Sequence, residues 1–224
     1  MDSQTLKVSL NKMSHIHIQY FKTGIGEFIL GSFEGQLCLL DYRYRKMRQA
    51  VDDRIRKGLN AELKLLAAEP ARNPIPSRTS LLRCSLTPSR LRREGMRSPE
   101  FTEQDDEILS LIRMQLEEYL SGNRTEFDLP LLMVGTDFQK EVWNALMKVP
   151  YGKTATYLDL AKSLGNGNAV RAVAAANGAN ALAIVVPCHR IVGSRGELTG
   201  YSGGLAVKQR LLQLEQGSRN LFEI

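Results

Sequence analysis

The chain has 224 residues, a net charge of +6, 43% hydrophobic and 24% charged residues, and three cysteines. That is the balance of an ordinary folded protein, long enough for one large or two small domains, and its longest apolar run, Ala181–Cys188, falls far short of the ~18 residues of a membrane span. The N-terminus carries no signal-like apolar stretch, so a cytoplasmic chain is expected; Cys38, Cys84 and Cys188 are too scattered for a disulfide framework or a CxxC metal pair.

The positive balance points toward an anionic partner such as nucleic acid, but it is unevenly spread. Residues 1–62 carry +3, residues 63–100 carry +5, residues 101–133 carry −6 and residues 134–224 carry +4.

In chain order, His15–Phe21, Glu27–Phe33 and Gln36–Tyr42 alternate or run apolar between glycines and predict three short strands, with Glu34-Gly35 marking the second hairpin. Tyr44–Leu59 has helical character and ends at Gly58. Residues 63–100 differ in kind: they hold five of the eight prolines and no aromatic residue, which predicts a flexible insert interrupting the first domain. Its basic face is either simply solvated or touches DNA. Thr102, with Asp105 and Asp106 behind it, opens a helix to about Leu120, its acidic first turn suiting the helix dipole and Gly122 supplying the stop. Asn123–Pro130 then connects to a second domain, 134–224.

That domain opens on Thr136-Asp-Phe-Gln139, a capping box in which Thr136 and Gln139 satisfy free N–H groups. Phe138, Val142, Trp143, Leu146 and Val149 continue it as an apolar helical face that Pro150 and Gly152 end. Thr156 caps a second helix, Tyr157–Leu164, stopped by Gly165-Asn166-Gly167, and a third runs from about Ala169 to Asn177. Two short helices across a glycine turn form a helix-turn-helix, which serves either DNA binding or plain packing.

Ala181–Val186 is a short apolar run, a buried strand or extended segment, ending abruptly in Pro187-Cys188-His189-Arg190. A free cysteine is usually a small buried hydrophobe. Here His189 offers a base, Glu215 an orienting carboxylate, and Tyr201-Ser202-Gly203-Gly204 a loop whose backbone amides can approach a ligand, the arrangement of an activated nucleophile.

The run PCHRI at 187–191, followed by GYSGGLAVKQRLLQLE at 200–215, resembles the active-site signature of the 6-O-alkylguanine-DNA alkyltransferases, the methylated-DNA–protein-cysteine methyltransferases. The resemblance continues upstream through FQKEVWNAL, VPYGKTATYLDLA and GNAVRAVAAANGAN, and FDLPL at 127–131 resembles the usual lead-in. It implies an α/β (α+β) fold: a small ribonuclease-H-like sheet-and-helix domain, 1–133, followed by a mainly helical, winged-helix-like domain with the helix-turn-helix.

It also implies a reaction. A methyl group leaves the guanine oxygen for the Cys188 sulfur in an irreversible, single-turnover step, and 4-O-methylthymine is a second expected substrate. A free thiol near pKa ~8.5 is mostly protonated at neutral pH. In the family a Glu–His–water–Cys network removes that proton, roles that fall on Glu215, His189 and Cys188. Tyr157 matches the tyrosine that protonates the departing guanine, although by itself it reads first as a helix-start aromatic packed on the core. The target oxygen lies inside the base stack, so the nucleotide must be flipped out. Arg171 matches the arginine that fills the vacated place. Ala172, Ala174, Ala175 and Ala176 either keep that helix slim for close approach to the minor groove or simply make a good helix. Asn180 matches a brace for the turn before the active-site segment, and Tyr201 and Ser202 match the loop that closes over the base.

The expected partner is double-stranded DNA containing alkylated guanine, met by a monomer. The resemblance implies no cofactor, and no GxGxxG or GxxxxGK[ST] loop occurs. His15 and His17 share a strand face, but with Cys38 as the nearest further thiol no closed metal site is evident. Cys38 reads as core and Cys84 as an insert thiol. A non-catalytic or regulatory lesion-binding protein on the same scaffold is the alternative; the presence of Cys188 favours the enzyme.

Overall fold

The three glycine-bounded runs form β1 (Ser14–Thr23), β2 (Gly26–Phe33) and β3 (Gln36–Tyr42) in the computed structural model, which describes residues 14–66 and 106–217. β1 and β2, then β2 and β3, pair antiparallel. The β2–β3 turn places both Glu34 and Gly35 at positive φ, +49° and +75°, the backbone twist that suits a two-residue hairpin.

α1 (Arg48–Leu59) begins four residues later than the helical pattern suggests. Arg45 and Arg48 turn back to the buried Asp41 carboxylate, and that fixes residues 43–47 as a turn. After α1 comes a strand the composition hides. β4 (Ala61–Leu65) lies parallel to β1 and completes the sheet in the order β3-β2-β1-β4. Residues 63–65, assigned by composition to the insert, thus belong to the sheet edge. The remainder of the insert, with Cys84, lies outside the described residues.

α2 (Glu107–Leu120) starts at Asp106, whose carboxylate accepts from the backbone N–H of Ile108 and Leu109; Thr102 and Asp105 lie outside the described residues. Leu109, Ile112, Leu116 and Tyr119 recur at helical spacing and are all fully buried. At ~1.5–3 kcal/mol for each large apolar side chain removed from water, this face outweighs the helix's own propensity. It packs against Phe28, Leu30 and Leu37 of the sheet, while α1 covers the other face through Val51 and Ile55 against Ile16, Ile18 and Leu39.

In the second half the Thr136–Gln139 capping box forms as read, and α3 (Asp137–Leu146) follows it. The helix stops at Leu146, ahead of Pro150, because Lys148 and Val149 N–H groups bond three residues back. Thr156 caps α4 (Tyr157–Ser163), and α5 (Val170–Gly178) completes the helix-turn-helix. Trp143 is buried and donates its indole N–H to the Ala176 carbonyl at 2.9 Å, which locks α3 to α5. A two-residue parallel ribbon, β5 (Ala155–Thr156) with β6 (Ile191–Val192), and α6 (Leu205–Glu215) close this half.

Both halves share one apolar cluster. The outer edge of β3, which would otherwise present unpaired backbone groups, is covered by the segment leading into the second half and by the run before Cys188. Leu37 N–H donates to Pro130 O and Leu132 N–H to Leu37 O, while Leu40 exchanges bonds with Ala181 O (2.8 Å) and Ala183 N–H (2.7 Å). Among the described residues no helix is long and apolar enough to cross a membrane.

Candidate active site

The apolar run before Cys188 is not a simple strand. Its first half lies along β3, then the chain reverses at Ile184, whose φ is +71°. A β-branched residue rarely adopts that conformation, and it persists only where surroundings hold it. Asn180 supplies the hold: its Oδ1 accepts from Leu182 N–H at 2.9 Å and its Nδ2 donates to Val186 O at 2.9 Å. Pro187 then leads into a tight helical turn, Cys188–Arg190, that sets the cysteine at the bottom of a cleft.

That cleft has a volume of about 460 Å3 and brings Cys188 together with Tyr157, Asn180, Tyr201 and Ser202. Ala174, Asn177 and Gly178 of α5 form one wall, and Arg45, Lys46 and Met47 form another. Arg171 and Ala172 do not line it; they stand exposed on the outer face of α5, with Ala175 and Gly178 completing a face of small residues.

Behind the cleft lies a buried polar group. His189 Nε2 meets Glu215 Oε1 at 2.8 Å, and Tyr119 donates its hydroxyl to the same oxygen at 2.6 Å. Arg190 donates from Nε and Nη2 to Glu215 at 2.9–3.1 Å, and the Gly152 N–H reaches Oε2 at 3.0 Å. Gly152 sits at φ +71°, and a Cβ there would lie 2.9 Å from the Glu215 carbonyl, so this amide donor needs a glycine. His189 Nδ1 is buried with no hydrogen-bond partner among the described residues.

The electrostatics follow from burial. Desolvation pushes the Cys188 thiol up to about 11, with Asn180, Lys208 and Arg45 opposing it, so the resting group is a thiol. Desolvation likewise lowers His189 despite its carboxylate partner, which keeps the imidazole neutral. Burial would raise the Glu215 carboxyl, but hydrogen bonds from His189 and Arg190 outweigh it and bring it down to about 2. The permanent guanidinium of Arg190 therefore balances the carboxylate. A neutral His189 with Nε2–H held by Glu215 leaves the Nδ1 lone pair as its basic atom.

Several contributors escaped the sequence reading. Tyr119 looks like any apolar position on α2. Arg190 lies within PCHRI without an assigned role, and Gly152 reads as a helix stop. Lys208 is fully buried, and its Nζ donates to the carbonyls of Ile191 and Thr199. Its signal was available: Lys208 and Glu215 stand seven residues apart on the face of α6 that also carries Leu211 and Leu212. Tyr42 packs edge-on against Tyr201, with ring centroids 5.7 Å apart, and its hydroxyl lies 3.3 Å from that of Tyr201.

His17 and Cys38 do structural work. His17 meets Asp106 at 3.0 Å, beside the cap of α2, and Ser32 bonds the same carboxylate. Burial pushes the Cys38 thiol up to about 12, the state of an inert core cysteine. Among the described residues no group of three or more His, Cys, Asp or Glu side chains could hold a metal ion.

Residues 137–217 match the family model of the 6-O-methylguanine DNA methyltransferase DNA-binding domain. A methylated-DNA–protein-cysteine methyltransferase of Methanosarcina acetivorans is 49% identical over 117 residues, 52% of this chain and 75% of that protein. The inducible enzyme of that name from Bacillus subtilis is 45% identical over 121 residues, covering 54% and 68%. For the relatives from Mycobacterium tuberculosis the match spans 62% of their length. The crystal structure of Mycobacterium tuberculosis OGT in complex with DNA superposes with a TM-score of 0.63 at 31% identity, over 92% of this chain and 94% of that one. With 49% identity over 75% of one such relative and the architecture shared with a solved structure, the chain belongs to the methylated-DNA–protein-cysteine methyltransferase family.

Proposed function

We propose that the protein repairs DNA directly, moving the alkyl group of 6-O-methylguanine, and of 4-O-methylthymine, to the sulfur of Cys188, once per molecule and as a monomer. The observation that carries this reading is the cleft itself: one buried thiol faces Tyr157, Tyr201 and Ser202, with a neutral His189 oriented behind it by a carboxylate. We read residues 1–133 as the supporting domain and 134–224 as the domain that binds DNA and carries the nucleophile.

In the reaction the sulfur attacks the methyl carbon as the carbon–oxygen bond breaks, and that bond's electron pair stays on the guanine. The thiol proton passes to His189 Nδ1, the ring atom left over once Nε2 is taken by Glu215; a water bridging Nδ1 and Sγ fits this relay. Tyr157 returns a proton to the departing base, so the products are a thioether and neutral guanine. Such a thioether is inert, and the single turnover follows from its stability. Arg171 and the small face of α5 suit close approach to a minor groove, Arg171 filling the gap left by the extruded nucleotide. Backbone and width contacts of this kind are indifferent to sequence, as repair requires.

The test is to incubate the protein with duplex DNA bearing one labelled 6-O-methylguanine and count label on protein. Near-stoichiometric transfer that Cys188→Ala abolishes is expected. Tight binding with no transfer would overturn the reading and leave a lesion-binding protein.

A further inference from the structure

The turn between β3 and α1 reads Asp41-Tyr-Arg-Tyr-Arg-Lys-Met-Arg48, basic and aromatic residues interleaved. Most of its cations serve the fold. Arg45 joins Asp41 to the carbonyls of Asn180 and Gly178, which fastens the turn to the C-terminal end of α5. Arg48 pairs with Asp41 and Asp52. Arg43 pairs with Glu27 and lies 4.0 Å from the Tyr20 ring and 5.3 Å from the Tyr44 ring.

Three side chains are left facing outward. Tyr44 is 77% exposed and Met47 61%, and Lys46 is exposed with no ion pair or hydrogen bond among the described residues. Lys46 and Met47 also form the cleft wall opposite α5, so the cationic end of this lip borders the mouth above Cys188, with Tyr44 exposed two residues before Lys46. We propose that the lip is a second DNA contact: Lys46 neutralises a phosphate of the strand that carries the extruded nucleotide, and Tyr44 stacks against that strand beside it.

The proposal rests on the repair reading and on position. α5 has nine residues, about 13 Å at 1.5 Å per residue, with Arg171 at its start and the lip fastened at its end. DNA laid along α5 therefore runs from Arg171 onto the lip. An extruded nucleotide draws its flanking phosphates to the cleft mouth, where Lys46 stands. A free cation beside an exposed aromatic ring is the pairing by which proteins hold single-stranded backbone without reading sequence.

The test uses the full chain with Cys188→Ser, so that binding is read without transfer. A labelled duplex containing one 6-O-methylguanine is titrated at several salt concentrations against this parent and its Lys46→Ala, Lys46→Arg and Tyr44→Ala derivatives. Lys46→Ala is expected to lower the slope of log affinity against log salt by about 1, and Lys46→Arg to restore it. Tyr44→Ala is expected to weaken binding roughly five-fold or more with the slope kept, as loss of one stacking contact would. A parent that binds while Lys46→Ala and Tyr44→Ala match it in affinity and slope overturns the lip alone. A parent that fails to bind the duplex overturns the repair reading together with it.

Discussion

Glu215→Gln tests the site most directly, because it keeps the side chain's shape and removes only its charge and one acceptor oxygen. Glu215 accepts from Tyr119, His189, Arg190 and the Gly152 amide, and Arg190 is itself only 8% exposed. A glutamine oxygen can keep some of these donors, but its NH2 group then confronts another N–H, and the guanidinium loses its counter-charge. Removing one partner of a buried ion pair costs ~3–5 kcal/mol. For a chain of this length each kcal/mol moves Tm by about 2–4 °C, so a fall of roughly 10 °C is expected. The imidazole also loses the acceptor that fixes its tautomer. General-base assistance is worth about 10²–10⁴-fold, and the transfer rate should fall by at least the lower figure. Quenched time courses of methyl transfer from labelled duplex measure the rate, run well below the variant's melting temperature as followed by circular dichroism. A folded Glu215→Gln within two-fold of the parent rate would refute the role of the carboxylate, and an unchanged Tm would refute its pairing with Arg190.

Asn180→Ala should lower Tm and slow transfer at least ten-fold, since it strips the bonds that hold the strained Ile184 turn and leaves buried backbone groups unpaired at ~1–3 kcal/mol each; parallel melts and time courses check both. Lys208→Met should slow transfer more than it lowers Tm, because the lost Nζ bonds tie β6 to the 199–203 loop lining the cleft while the methionine still fills the space; a Tm loss without a rate loss would contradict this. Stability should fall with acid. Glu215 has a folded-state value of about 2 against 4.5 for a free glutamate, so its contribution, on the order of 3 kcal/mol, is present above pH 4.5 and is lost as pH drops toward 2. His189 is also depressed on folding, and its share begins to fade below pH 6.5. Urea midpoints across this range should decline steadily, with the step between pH 4.5 and 2 reduced in Glu215→Gln. Because buried His189 stays neutral, the transfer rate should show no drop at pH 6.5.

The overall charge was a poor guide. Residues 63–100 contribute five of the six net positive charges, and of these only residues 63–66 fall within the described structure. The useful cations are individual ones whose worth depends on what they face: Arg190 against Glu215, Arg45 against Asp41, and Lys46 against no partner among the described residues.

Local chemistry is what the sequence by itself determined. The three glycine-bounded strands, the Glu34-Gly35 hairpin, the caps at Thr136 and Thr156 and the helix-turn-helix arise from interactions within a few residues, so their patterns are legible in order along the chain. PCHRI and its flanking motifs likewise nominated Cys188, His189, Glu215 and Tyr157 as candidates for the reaction. Tertiary structure decided the rest. β4 exists because its backbone pairs with β1, a partner more than forty residues away that its own composition does not announce. The segment before Cys188 reverses because β3 holds one side of it and Asn180 the other. Tyr119, Gly152 and Arg190 become a single network only when α2, α6 and the Cys188 turn meet around one buried carboxylate. Burial also moves the protons, keeping the thiol protonated and the imidazole neutral, and desolvation of this kind depends on everything packed around a group, which no spacing along the chain records.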